Sequence, residues 1–267
     1  MDTLSHLKLV TWNINGMRAV SREHFRPWIQ KRDPDLVFLQ EIKAFPEQFD
    51  DDLVCPEEFE AFYFPAERPG YSGTAVWVKK NLLHRVHEIN CGLGIKEFDQ
   101  EGRNVYIDID DLSIWGAYFP NGQRDHNRVP YKLNFSQKLV DTALAHAESK
   151  KRKVVICGDV NTSHREIDLA NPKENKETTG FLPIEREWIS TFLDSGFTDT
   201  FRQIHGDIKD QYTWWTYRND CRGRNIGWRL DYFFVQNEIR DRILNVSQFK
   251  DDLGSDHCPV LLEIKSP

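Results

Sequence analysis

The sequence predicts an α/β sandwich, and three observations carry that prediction. Strand-like runs lead the order and helical stretches interleave irregularly, unlike the strict alternation of a βαβ repeat. The run Lys153-Val154-Val155-Ile156-Cys157-Gly158-Asp159-Val160-Asn161 is apolar and ends abruptly in a carboxylate and an amide, as a buried strand does when its mouth carries chemistry. Three other hydrophobic stretches repeat the design: Leu36–Glu41, Leu230–Val235, and Ser255-Asp256-His257 ahead of Val260-Leu261-Leu262. Their polar ends are expected to converge on one site.

Taken in order, Leu7–Trp12 reads as a strand and Asn13–Gly16 as the turn that ends it. Ser21 is a good N-cap for a helix running through Phe25, Trp28 and Ile29 to Asp33-Pro34, where the strand to Glu41 follows. Gly73–Val78 is a further strand, and Asn104–Tyr118 a hairpin turning at Asp110-Asp111. Tyr118-Phe119-Pro120-Asn121-Gly122 is a loop by its Pro and Gly content. Helical spacing runs through Leu133, Leu139, Ala143 and Ala147, and again through Ile184, Trp188, Ile189 and Phe192, which Pro183 opens and Gly196 closes. Asn171–Thr179 is the most polar stretch, a surface loop. There is no sequence repeat, low-complexity tract or linker. Since the suspected site residues run from Glu41 to His257, the chain is one domain or the site lies between two.

With 39% hydrophobic and 29% charged residues, the chain has the composition of a soluble globular protein with a sizeable core. No apolar run is long enough to span a bilayer and the first residues lack a signal-peptide pattern, so a cytoplasmic protein without a membrane partner is expected. Five scattered cysteines without a C-x-x-C pair fit reduced thiols. The net charge of −7 weighs mildly against nucleic acid. Lys150-Lys151-Arg152-Lys153, or Arg218, Arg222, Arg224 and Arg229, could still form a basic face.

A single carboxylate at a strand end ordinarily caps a turn. Glu41, Asp159, Asp231 and Asp256 brought to one pocket would instead repel, and a hard divalent cation such as Mg²⁺ or Mn²⁺ resolves the repulsion. Such an ion commonly serves phosphoryl or phosphodiester chemistry. A lone histidine at a strand start is more often structural than catalytic. Asp231 on one ring nitrogen of His257 would fix its tautomer and favour its charged form. Trp214, Trp215, Tyr217 and Trp228 alternate with arginines in a Gly-rich region, where aromatics either pack in the core or stack on bases and sugars.

These residues resemble the exonuclease III family of apurinic/apyrimidinic (AP) endonucleases, within the endonuclease/exonuclease/phosphatase superfamily. The likeness spans nearly the whole chain: Trp12–Arg18, Leu39–Lys43, Gly70–Gly73, Tyr118–Gly122, Gly158–Asn161, Gly180–Pro183, Gly227–Tyr232 and Gly254–Pro259. It implies a single domain over 1–267 with a four-layer fold, two packed β-sheets flanked by helices. It also implies Mg²⁺-dependent incision of double-stranded DNA 5′ to abasic or damaged sites, leaving a 3′-hydroxyl. Some 3′→5′ exonuclease or 3′-end-cleaning activity goes with it, in a monomer that is nucleoid-associated if prokaryotic.

By the same resemblance, Glu41 is the principal metal ligand with Asp256 near it, and Asn13 completes the shell. Asp159 activates the attacking water, Asn161 positions it, and His257, oriented by Asp231, contacts a phosphate oxygen. Tyr118 serves the phosphate or the leaving oxygen. Trp214, Trp228 and Leu230 form a pocket for the extruded sugar, while Asn121, Arg124 and Asn175 bind substrate. Asn15 departs from the pattern, standing where some relatives carry an Asp metal ligand. The rivals are a phosphodiesterase or phosphatase acting on inositol lipids, sphingomyelin or RNA tails, and a non-catalytic DNA-binding module. Gly227–Asp231 and the Trp214-Trp215 region favour the DNA-repair branch.

Overall fold

β-Branched and aromatic runs pair into two mixed six-stranded sheets, which a computed structural model describes for residues 6–20, 22–49 and 57–267. Ser21, the first residues of the chain and Cys55 lie outside the described residues. In chain order the elements begin with β1 (His6–Asn13), α1 (Arg22–Arg32), β2 (Leu36–Gln40), β3 (Phe59–Phe64), β4 (Thr74–Lys79) and β5 (Val86–Cys91). There follow α2 (Lys96–Asp99), β6 (Asn104–Ile109), β7 (Leu112–Tyr118), α3 (Val129–Lys150) and β8 (Lys153–Asp159). The chain continues with α4 (Pro183–Asp194), β9 (Phe197–Asp199), α5 (Thr200–His205), β10 (Asp231–Gln236), β11 (Ile243–Gln248) and β12 (Val260–Lys265).

The first sheet has the order β11-β12-β1-β2-β4-β3 and the second β5-β6-β7-β8-β10-β9. Each contains one parallel pair, β1 with β2 and β7 with β8, and each of these pairs is joined through a helix, α1 or α3. All other pairings are antiparallel. Although the sequence shows no repeat, both sheets thus have one spatial order of strands, with β12 and β1 unconnected where β6 and β7 form a hairpin.

Leu9, Phe38 and Val76 of the first sheet meet Ile107, Ile114, Val155 and Phe233 of the second in a buried middle layer. Phe25, Trp28 and Ile29 of α1 cover the outer face of the first sheet at Trp12, Leu39 and Trp77. Phe135 and Leu139 of α3, with Ile189 and Phe192 of α4, cover the second at Trp115, Ile156 and Phe234. The result is a four-layer α/β sandwich. At Gly116 a Cβ would lie 2.4 Å from the Phe38 ring, so the glycine allows the sheets to approach there.

Four predicted elements appear with small shifts: the strand at β4, the hairpin β6–β7 turning at Asp110 with φ 51°, and the helices α3 and α4. Cys91, Cys157, Cys221 and Cys258 are free thiols. No helix among the described residues is long and apolar enough to cross a membrane.

Candidate active site

Strand direction gathers the polar ends. Tyr118 and Asp159 are partners at the C-terminal ends of parallel β7 and β8, and Asp231, the first residue of antiparallel β10, pairs with Asp159 from the other side. Gly158 sets this row: at φ +135° its Cβ would lie 1.8 Å from the Ala117 carbonyl oxygen, so only glycine fits before Asp159. In the first sheet Asn13 ends β1, and Glu41 follows β2 in the left-handed region at φ 56°. A non-glycine residue held there is backbone strain of the kind concentrated at functional sites. Because β12 is antiparallel to β1, the Ser255–His257 segment before it arrives at the same edge. There the Ser255 hydroxyl donates to the Asn13 carbonyl at 2.7 Å, and the Trp12 indole donates to the His257 carbonyl at 3.2 Å.

His257 sits between two carboxylates, its Nδ1 2.8 Å from Asp231 and its Nε2 3.7 Å from Asp159. Burial alone would lower its pKa, but Asp231 and Asp159 outweigh burial and raise it, which favours the charged form of the ring. Burial raises the Asp159 carboxyl; the charge of His257 opposes the rise and Asp231 adds to it. Asp159 accepts from the Asn161 main-chain N–H at 2.8 Å, from the Asn13 amide at 2.9 Å and from the Asn161 amide at 3.2 Å. Asn121 donates to Asn161 at 3.2 Å. The Tyr118 phenol is pushed well above its usual range by burial, then by Glu41 and Asp159, and it hydrogen-bonds Glu41. Arg103 supports Tyr118 from behind, donating to its carbonyl at 3.0 Å with the guanidinium 4.9 Å from the ring.

Asn13 bridges the two sheets, donating to Glu41 at 3.0 Å as well as to Asp159. Burial would raise Glu41, but the Lys43 ammonium, 2.5 Å from its Oε2, and the Asn13 amide hold it below the usual carboxylate range. Lys43 also donates to Asn15 at 2.5 Å, and the Asn15 amide donates to Asp256 at 3.0 Å. Glu41 and Asn15 thus give oxygens to the Lys43 ammonium, with Asn13 bonded to Glu41 and Asp256 to Asn15 beside them, and this oxygen-rich set suits a hard divalent cation. The side chains of Asp159, Asp231 and His257 also lie close enough together to hold a metal. There the imidazole already bonds Asp231 and faces Asp159.

A cavity of ≈ 430 Å³ opens beside this row, lined by Asn121, Trp214, Trp228, Leu230 and Thr178–Gly180 together with Glu41, Tyr118, Asp159, Asp256 and His257. Trp214 and Trp228 are half-buried, set edge to face with ring centroids 6.4 Å apart. The Trp214 indole donates to Asp256 at 3.1 Å. Trp215, by contrast, is core, packed with Tyr212 and Cys258.

Two predicted substrate contacts do not line the cavity. Arg124 is exposed on the loop beyond Asn121, and Asn175 bonds its own loop, donating to the Asn171 carbonyl at 2.7 Å. The expected basic faces also change. Arg229 is fully buried on Asp168 and Asp199, and Arg222 is spent on backbone carbonyls, which leaves Arg218 and Arg224 exposed. Lys150–Lys153 lies at the opposite end of β8 from Asp159. There Arg152 and Lys150 pair Asp108 and Glu88, so the metal-like group Glu88, Asp108 and His146 already has its countercharges. Sequence reasoning gave Lys43, Thr178 and Thr179 no role. Lys43 was marked only by its place two residues after Glu41, and the threonines by the end of the polar loop.

The sequence profile of the Endonuclease/Exonuclease/phosphatase family matches residues 10–257. An exodeoxyribonuclease of Bacillus subtilis is 40% identical, over 97% of this chain and 99% of its own length. The DNA repair nuclease APEX1 of Danio rerio is 35% identical, over 97% of this chain and 82% of its own. Among solved structures, the AP endonuclease LMAP from Leishmania major superimposes with a TM-score of 0.90 at 25% identity, covering 100% of this chain and 90% of that one.

Proposed function

Because this chain belongs to the endonuclease/exonuclease/phosphatase family, in its exonuclease III group of AP endonucleases, it is a hydrolytic nuclease, and we propose that it cuts double-stranded DNA 5′ to abasic sites with Mg²⁺. The cut leaves a 3′-hydroxyl, and 3′→5′ exonuclease or 3′-end cleaning uses the same residues. The carrying observation is that the Asp159–His257–Asp231 row borders a cavity with an apolar wall of Trp214, Trp228 and Leu230. In-line displacement needs a proton acceptor for water, neutralisation of the phosphate oxygens and stabilisation of the departing oxygen. The cavity beside the row has room for a sugar turned out of the duplex. That both sheets supply the site supports one domain over 1–267, and the chemistry calls for neither a membrane nor a second copy. A place in the cytoplasm, on the nucleoid if the source is prokaryotic, is part of the same proposal and fits a DNA substrate.

Asp159, its carboxylate fixed by Asn13 and Asn161, takes a proton as the water oxygen bonds to phosphorus. The P–O3′ bond then breaks, and O3′ leaves as an alkoxide that takes a proton from solvent water to become the 3′-hydroxyl, while Asp159 returns its proton to solvent. Tyr118, kept protonated by burial and its anionic neighbours, donates a hydrogen bond to the phosphate or to the departing oxygen. His257, held cationic by Asp231, faces a non-bridging oxygen where negative charge grows. Glu41 and Asp256, with Asn13, would hold Mg²⁺ or Mn²⁺, which would neutralise phosphate charge.

The test is nicking of a duplex carrying one abasic analogue, with Mg²⁺ and with chelator, beside an intact duplex and a phosphoinositide. Incision at the lesion only, abolished by chelator, is expected. Phosphoinositide hydrolysis without nicking would overturn the reading.

A further inference from the structure

Behind Asn161, away from the cavity, lies a buried ion pair with no part in the chemistry above. Lys132 of α3 and Glu185 of α4 meet at 2.6 Å with side-chain exposures of 2% and 0%. Removing two charges from water costs more than burying apolar side chains of similar size, so stability alone does not explain such a pair. Its hydrogen bonds are directed at the site. Lys132 Nζ also donates to the Asn161 main-chain carbonyl at 2.7 Å. Glu185 accepts from Gly180 N at 2.6 Å, from Leu182 N at 3.1 Å and from the Thr179 hydroxyl at 3.1 Å. One pair thus ties two helices to the turn bearing Asn161 and to the wall of the cavity.

Both attachment points are places where the backbone needs holding. Asn161 has the left-handed φ of 53°. Its amide must nevertheless reach Asp159 and the Phe119 carbonyl, at 3.2 and 2.9 Å. Gly180 abuts both the Asn161 carbonyl and the Trp228 ring, where a Cβ would lie at 3.0 and 3.3 Å, and its own carbonyl accepts from Ser163 N at 2.8 Å. A shift in the Thr178–Gly180 wall therefore reaches Asn161 on one side and Trp228 on the other.

Resting on the nuclease reading above, we infer that Lys132 and Glu185 are positioning residues for the reaction: their buried pair locks the Asn161 turn and the Thr178–Gly180 wall in register with Asp159. Neither touches substrate. The lock acts through backbone geometry, so its loss slows turnover more than it weakens binding.

The experiment compares Lys132→Met/Glu185→Gln, which removes both charges at nearly constant volume, with Glu185→Asp, which keeps the charge and shortens its reach. Both are tested as the whole chain, on the abasic duplex and by amide hydrogen exchange. The double variant is expected to keep KM within about 3-fold while kcat falls roughly 10- to 100-fold, the scale of misplacing a catalytic group slightly. Glu185→Asp should lose roughly 10-fold. In both, exchange at Gly180, Leu182 and Ser163 should accelerate at least about tenfold while amides of the middle strands stay protected. Wild-type kcat with wild-type exchange in either folded variant overturns the inference. So does a loss of activity that comes with exchange accelerated throughout the molecule, which marks the pair as merely structural. If the wild-type chain nicks no abasic duplex, the nuclease reading fails while the exchange data still decide whether the pair holds the wall.

Discussion

Asp159 and Asp231 are directly opposed across the antiparallel β8–β10 ladder, so two buried acidic side chains share one basic ring, that of His257. Like charges so placed are costly without it. The three groups are therefore expected to act together. His257→Ala should slow turnover roughly 10²- to 10⁴-fold, and Asp231→Asn should give a partial version of the same defect. A double variant no slower than His257→Ala is the expected outcome of a steady-state cycle; fully additive losses would show that the pair does not work as a unit.

Asp159→Asn keeps the shape of the side chain and removes its capacity to take a proton. Turnover should fall by orders of magnitude while binding of abasic duplex, by gel-shift titration, stays within a few-fold. Binding lost in step with turnover would make Asp159 a substrate contact.

Glu41→Gln retains an oxygen donor but loses the charge now balanced by Lys43. The Mg²⁺ concentration for half-maximal rate should rise about tenfold or more, corresponding to a loss of at least ~1.4 kcal/mol in ion binding. An unchanged metal requirement would remove Glu41 from the ligand set.

The two kinds of tryptophan should separate in one pair of measurements. Trp228→Ala is expected to keep a near-normal melting transition and lose discrimination between abasic and intact duplex, because its ring is half-buried on the cavity wall. Trp215→Ala should instead lower stability by about 3–5 kcal/mol, as a large core truncation does. A collapse in the melting temperature of Trp228→Ala would place that ring in the core as well.

Acid should unlock the segment before β10. Burial alone would raise Asp168, but Arg229 and then Arg202 hold it far below the usual carboxylate range. A carboxyl depressed in the folded state contributes stability above its unfolded pKa of about 3.9, and this is lost as pH falls through the folded value. Asp168→Asn should therefore cost about 3–5 kcal/mol at pH 7, with the gap to wild type narrowing below pH ~4 in urea titrations. A gap constant down to pH ~2 would contradict the ion-pair account.

Every strand whose run is strongly apolar or ends in the site was legible in the sequence. The four that were not, β3, β5, β9 and β11, are the four sheet edges. Edge strands bury less and tolerate polar residues, as in Val86–Cys91 and Ile243–Gln248, so the alternation that marks a strand is blurred there. At the site, the strand ends bearing Glu41, Asp159, Asp231 and Asp256 could be read because a carboxylate interrupts an apolar run. Lys132 and Glu185 could not, since a helical Lys and Glu 53 residues apart look like solvated surface. The burial of Arg229 was equally hidden, its partners being supplied by distant Asp168 and Asp199.

The division of the site between the two sheets also bears on when a newly made chain becomes dangerous to DNA. Neither half holds all of the proposed cutting residues: Asn13 and Glu41 come from one sheet, Tyr118, Asp159 and Asp231 from the other, and the Trp12–His257 contact spans 245 residues of sequence. Docking of the sheets is thus a built-in interlock. A nascent chain still lacking β12, or a partly unfolded one with its halves apart, carries no working blade.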